Sequence, residues 1–177
     1  MDCKHAFAVW LTGLPASGKS TVARALEAAL RSEGLNCAVL ESDALRDVFT
    51  PHPRYDDEER DTFYRQMVYI GRLLVSHGVT VIFDATANRR GYRESARQEI
   101  ARFVEVYVDT PLEVCMSRDP KGIYRAAGTG RATTVPGLQA GYEPPLHPDL
   151  TIHGDSESPE DSANQIIAAL VQKGYVG

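Results

Sequence analysis

The run FAVWL (7–11) leads into Gly13-Leu14-Pro15-Ala16-Ser17-Gly18-Lys19-Ser20-Thr21 and then into a helical pattern. No other feature constrains the chain as much. The spacing Gly13-x4-Gly18-Lys19-Ser20 matches the P-loop pattern in full. Its glycines let the backbone curl until successive N–H groups point at one centre, and the helix that starts there adds its positive end. Such a loop needs a strand before it and a helix after it, and both are written here. The residues therefore predict a gripped triphosphate: Lys19 reaches the β and γ phosphates, the Ser20 hydroxyl meets Mg²⁺, and Thr21 stands near the α phosphate. No base-reading motif of a GTP-binding switch is present, so ATP is the expected nucleotide.

Short apolar runs then alternate with helical patterns. CAVL (37–40), VTVIF (79–83), FVEVYV (103–108) and DLTI (149–152) read as further strands. The first helix carries Val22, Leu26, Ala29 and Leu30 on one face and ends at Gly34. A long helix from about Asp57 to Ser76 spaces Tyr64, Met67, Val68, Gly71, Leu74 and Val75 along one side. Its first turn is acidic, as the helix dipole favours. Another helix begins after Asn88 and runs to about Ala101. Thr110-Pro111-Leu112-Glu113 reads as a cap, a proline at the first helical position and a capping-box acid. Ser158-Pro159-Glu160-Asp161 caps the last helix, which turns Ile166, Ile167 and Leu170 inward.

Alternation of this kind implies an α/β fold with a parallel sheet covered by helices on both faces. With no linker and no internal repeat, one domain over 1–177 is expected. Residues 119–146 do not fit the scheme. They are rich in glycine and proline and include Lys121, Arg125 and Arg131. A connection this long reads as a lid, and its cations suit a site full of phosphates.

The formal net charge of −5 speaks against a nucleic-acid-binding surface, so any anion must be held by locally placed Arg and Lys. No apolar stretch approaches the ~18 residues that span a bilayer. No signal-peptide pattern precedes the motif, and Cys3, Cys37 and Cys115 are scattered. Free thiols, a cytoplasmic location and no membrane partner are expected.

In parallel sheets ligands gather at the carboxyl ends of the strands. Two acids fall there: Asp43 just past the second strand, and Asp84 ending the third. Phosphoryl transfer needs a group to orient or deprotonate the attacking hydroxyl, and Asp43 is the candidate for it. Asp84 has the pattern of an acid that holds Mg²⁺ through water. For each, a helix cap is the alternative. Arg46 and Arg60 can face the same mouth, where two guanidiniums would bind an acceptor carrying phosphate or sulfate. Arg89, Arg90 and Arg93 follow the third strand, and a solvated face accounts for at least one of them.

Taken together, these residues resemble the adenylylsulfate kinase family. The specific parts beyond the P-loop are VEVYVDTPLEVCMSRDPKGIY (104–124), with DPKGIY as a lid signature, and GYEPP (141–145). The resemblance implies a three-layer P-loop fold with a five-stranded sheet in the order 2-3-1-4-5. It also implies ATP and Mg²⁺ as cofactors, and transfer of the γ-phosphoryl group to the 3′-hydroxyl of adenosine 5′-phosphosulfate (APS), a small anionic nucleotide. The family is often dimeric, so the resemblance allows a homodimer, while the sequence itself does not fix the oligomeric state. Residue by residue, Lys19 and Asp43 take catalytic roles, and Arg46 and Arg60 contact the phosphosulfate. Tyr55 stacks on the acceptor's adenine, and Lys121 belongs to the lid.

The chain departs from the family's pattern in four places. Phe63 stands for an asparagine that helps hold the phosphosulfate, and Val135 for a second aromatic over the adenine. Ala87 stands for a serine, and Asp84 for an uncharged residue. FDATANRR (83–90) is also similar to P-loop kinases that phosphorylate sugars or polynucleotide ends. Another nucleotide or small anionic alcohol as acceptor, and nucleotide binding without transfer, are the alternative readings.

Overall fold

The computed structural model describes residues 6–177. Five strands, β1 (Ala8–Thr12), β2 (Cys37–Glu41), β3 (Thr80–Asp84), β4 (Phe103–Asp109) and β5 (Leu150–His153), form one sheet in the order β2-β3-β1-β4-β5. All four pairings are parallel, as the sequence and the resemblance imply. The helices are α1 (Lys19–Ser32), α2 (Ser42–Phe49), α3 (Asp57–Ser76), α4 (Arg90–Glu99), α5 (Leu112–Arg118), α6 (Ile123–Gly128) and α7 (Pro159–Gln172). The expected strands and helices are all present, with ends moved by one to three residues. The expectation for Cys3 lies outside the described residues; Cys37 and Cys115 are free and buried. No helix among the described residues is long and apolar enough to cross a membrane.

The central strands read as continuous apolar runs because both sheet faces are covered. Alternate side chains of β1 go to opposite layers. Val9 and Leu11 join Leu26 and Leu30 of α1 and Ile166 and Leu170 of α7 on one side. Ala8 and Trp10 join Phe63, Met67 and Val68 of α3 and Ala96 of α4 on the other. Trp10 stacks on Phe83 at 4.5 Å between centroids, and its indole N–H donates to the Ala85 carbonyl at 3.1 Å. Two fully buried layers hold the carboxyl ends of β1, β2 and β3 side by side, and the site is built there.

The helix ends follow their expected chemistry where a side chain can reach. Asp56 accepts from the Glu59 N–H at the start of α3, and Ser158 accepts from the Asp161 N–H at the start of α7. The expected cap at Thr110 does not form. Pro111 precedes the first residue of α5, with no side-chain cap bond, and the Thr110 hydroxyl donates instead to the Ser17 carbonyl at 2.9 Å. A buried hydroxyl satisfied by the loop next door outcompetes a local turn.

Candidate active site

The loop between β1 and α1 curls as its glycines require. Gly13 has φ 156°, and a β-carbon there would stand 2.5 Å from the Val108 carbonyl oxygen. Gly18, with φ 105°, turns the chain into α1. Ser17 is wholly buried, and its N–H donates to Leu14 O at 3.2 Å. The concave side of the loop opens onto a cavity of about 630 Å³, lined by residues 15–22 together with Glu41, Asp43, Asp84, Lys121 and others.

Lys19 curls back into this loop. Its ammonium donates to the carbonyls of Gly13 at 3.0 Å and Leu14 at 2.7 Å. Burial pushes its pKa down from 10.5 to about 8, with Asp84 opposing the fall. This sets the sign of a pH dependence. Phosphate oxygens stabilise the charged amine, so its pKa in a nucleotide complex lies above about 8 and the complex binds more protons than the free protein. ATP affinity should be constant below about 8, the pKa of the free protein, fall by up to about tenfold per pH unit above it, and level off once pH passes the pKa of the complex. Calorimetry in two buffers of different ionisation enthalpy should register proton uptake near pH 8. In Lys19→Arg the guanidinium stays charged and the fall should vanish. Equal ATP affinity on both sides of this pKa in the wild type would show that Lys19 does not govern binding.

Two of the acids line this cavity, and neither caps a helix. α2, a helix not read from the sequence, begins at Ser42 with no side-chain cap bond, which leaves the Asp43 carboxylate free to face the cavity. Asp84 closes β3, pairs in register with Glu41 of β2, and is buried. Among the described residues no group of three or more His, Cys, Asp or Glu side chains could hold a metal by itself.

The DPKGIY stretch explains how the segment 119–146 reaches the cavity mouth. The Asp119 carboxylate accepts the N–H groups of Tyr124 at 3.2 Å and Arg125 at 2.9 Å. The Tyr124 hydroxyl donates to Pro15 O at 2.9 Å. Between these anchors Lys121 forms an ion pair with Asp43 and lies 3.8 Å from Glu41. The hydrogen bond to Asp43 holds the Lys121 ammonium above its ordinary range, against partial burial. Val135 packs in a buried cluster with Cys115, Tyr124 and Ala127, and Leu14 and Ala16 of the loop lie against that cluster.

A second cavity of about 280 Å³ is lined by Tyr55, Asp57, Arg60, Asn88, Arg89, Thr134, Ala140, Gly141 and Glu143. Arg60 donates to Tyr55 O at 3.0 Å and to Thr134 O at 2.7 Å, joining α3 to the segment 119–146. Tyr55 is 42% exposed, so one ring face is open. Its φ of 58° is held by Arg60 and by Glu59, whose Oε1 accepts the Tyr55 N–H at 3.2 Å. The structure thus brings Tyr55 and Arg60 to one cavity and the loop, Asp43, Asp84 and Lys121 to the other. Arg46 and Phe63 line neither cavity; both are buried behind Tyr55.

Sequence reasoning missed the support beneath the second cavity. Arg93 is fully buried, so a solvated face does not describe it. It pairs with Glu105 at 2.7 Å, donates to Ala87 O, and donates to Glu143 O at 2.7 Å. Arg90 reaches Pro144 O at 2.7 Å, and Arg89 pairs with Asp57 at 2.6 Å. Asn88 donates to Gly141 O at 3.1 Å and accepts the Glu143 N–H at 2.8 Å. The Thr12 hydroxyl donates to Thr86 O, so the Tyr142 hydroxyl, 3.0 Å away, donates to Thr12. The run of polar residues at 88–93 was the available signal. It is a clamp for GYEPP.

The comparisons agree with this geometry. The family model described as adenylylsulphate kinase matches residues 5–153. An adenylyl-sulfate kinase of Microcystis aeruginosa is 39% identical over 168 residues, covering 95% of this chain and 93% of that protein. A Mycobacterium tuberculosis APS kinase solved in complex with AMPPNP and APS superposes with a TM-score of 0.89 at 33% identity, covering 94% of this chain and 98% of that one. A shikimate kinase of Aquifex aeolicus, 17% identical with a TM-score of 0.57, shares the fold. The chain belongs to the adenylylsulphate kinase family.

Proposed function

We propose that this protein transfers the γ-phosphoryl group of ATP to the 3′-hydroxyl of APS, with Asp43 as the base and Lys19 as the phosphate-holding cation. One observation carries this reading. A phosphate-gripping loop and a carboxylate face a single cavity, and a second cavity is lined by a partly exposed aromatic ring and a guanidinium. Membership of the family supports APS as the acceptor.

The backbone N–H groups of residues 13–20 and Lys19 hold the triphosphate. Mg²⁺ bound with the nucleotide would supply neutralisation of phosphate charge. The Ser20 hydroxyl would hold it directly and Asp84 through water, which fits a metal that takes most of its ligands from phosphate and water. Tyr55 stacks on the acceptor's base, Arg60 meets its anionic end, and Arg46, 8% exposed behind Tyr55, would reach that end through the one edge left open to it. The 3′-oxygen attacks the γ-phosphorus, its proton passes to the Asp43 carboxylate, and the bond to the β-phosphate oxygen breaks to release ADP. Lys121, paired with Asp43 before ligand arrives, is the lid cation for which a phosphate competes. Assembly as a homodimer is part of the proposal by family likeness.

A second reading keeps the kinase and changes the acceptor. It is favoured by Val135, which is buried in the lid cluster and supplies no second ring to the cavity. ADP release from Mg-ATP, measured with and without APS, separates the two. Stimulation by APS supports the proposal, whereas stimulation only by another nucleotide or anionic alcohol replaces it. Nucleotide binding with no turnover on any acceptor would reduce the protein to a binding module.

A further inference from the structure

Phe63 stands where an asparagine would touch the acceptor, yet its ring is wholly buried. The guanidinium carbon of Arg46 lies 3.9 Å from the centroid of that ring. The rings of Tyr55 and Tyr64 are 5.1 and 6.0 Å from the same carbon. Glu59 holds one edge of the guanidinium, 3.3 Å from Nη1. Arg46 therefore sits in an aromatic box with an acid on one side. In water a guanidinium swings freely. Over a desolvated ring face it is held by the ring's negative potential, and its in-plane N–H groups remain available to donate.

We propose that Phe63 is a positioning residue. It holds Arg46 against its ring so that the guanidinium meets the anionic end of the acceptor in one orientation, and it thereby sets acceptor affinity without touching the acceptor. This rests on the acceptor reading given above. Where an asparagine would reach the anion with its own hydrogen bond, this chain reaches it through Arg46.

The test separates ring electrostatics from space filling. Para-fluoro- and trifluorophenylalanine at position 63 keep the ring's shape almost unchanged while draining its face of negative potential. KM for APS is expected to rise in steps, reaching about three- to tenfold for the trifluoro ring, on the scale of a desolvated cation–π contact. KM for ATP and the melting temperature should stay at wild-type values. Phe63→Leu, which is apolar without a π face, should raise KM for APS to a similar degree. A flat KM for APS across the fluorinated series would overturn the proposal, because a filler does not depend on ring potential. If the wild-type protein does not turn over APS, the acceptor reading fails by itself, and positioning is then read by NMR. The ring current of Phe63 should shift the Arg46 Nε–H proton upfield in the wild type, and Phe63→Leu should move it downfield. An unmoved resonance would sink the positioning role.

Discussion

Replacing Asp43 by asparagine is expected to leave ATP binding intact and to slow phosphoryl transfer by about 10²–10⁴-fold, the range a positioned general base supplies. The separation is sharp because the carboxylate has little structural work. Its side chain is 57% exposed, it caps nothing, and α2 begins without it. A substitution at such a place costs about 0.5 kcal/mol or less in stability. Lys121 loses its closest partner but keeps Glu41 nearby. An ATP titration beside an acceptor-dependent ADP assay checks both halves. Full turnover in Asp43→Asn would remove this residue from the mechanism and leave Glu41, Asp84, Asp119 and Glu157 as the remaining carboxylates lining the cavity.

The largest effect on stability is expected at Arg93. Arg93→Met keeps much of the volume but removes the ion pair to Glu105 and the donors to the Ala87 and Glu143 carbonyls. Breaking a buried pair by deleting one partner costs about 3–5 kcal/mol. Glu105 retains Arg97 at 3.5 Å, which places the loss near the lower end of that range. For a chain of this length, each kcal/mol lowers the melting temperature by roughly 2–4 °C. Because the lost donor to Glu143 also pins the GYEPP segment, amide exchange there should quicken and KM for the acceptor should rise. Adding Glu105→Leu should recover part of the stability, since it removes the stranded charge. A melting temperature within a degree or so of wild type for Arg93→Met would show that the clamp carries no weight.

What the sequence made legible was local, or imposed by alternation. The P-loop was readable because its chemistry is contiguous: glycines, lysine and serine act within one turn of backbone. The sheet followed from apolar runs separated by helical patterns. The site was harder wherever a residue acts through a distant partner. Thr110 looked like a cap because capping is the local use of a threonine before a helix; its actual partner, Ser17, lies 93 positions away. A solvated face was expected for at least one of Arg89, Arg90 and Arg93, and it holds for exposed Arg90; sequence could not single out Arg93 as the buried one, because only the approach of Glu105 and Glu143 makes its burial tolerable. Phe63 read as a lost polar contact because sequence gives its identity but not the guanidinium resting on it. Lys121 and Asp43 were each marked, yet their pairing depends on how α6 and Tyr124 dock against the loop.

Glu59 has a consequence for how this site can change over generations. A single carboxylate tethers Arg46 through one oxygen and the backbone at Arg54 and Tyr55 through both. In the proposed site, the half that would grip charge and the half that would cradle a flat ring are therefore inherited as a unit, because altering the tether disturbs both together.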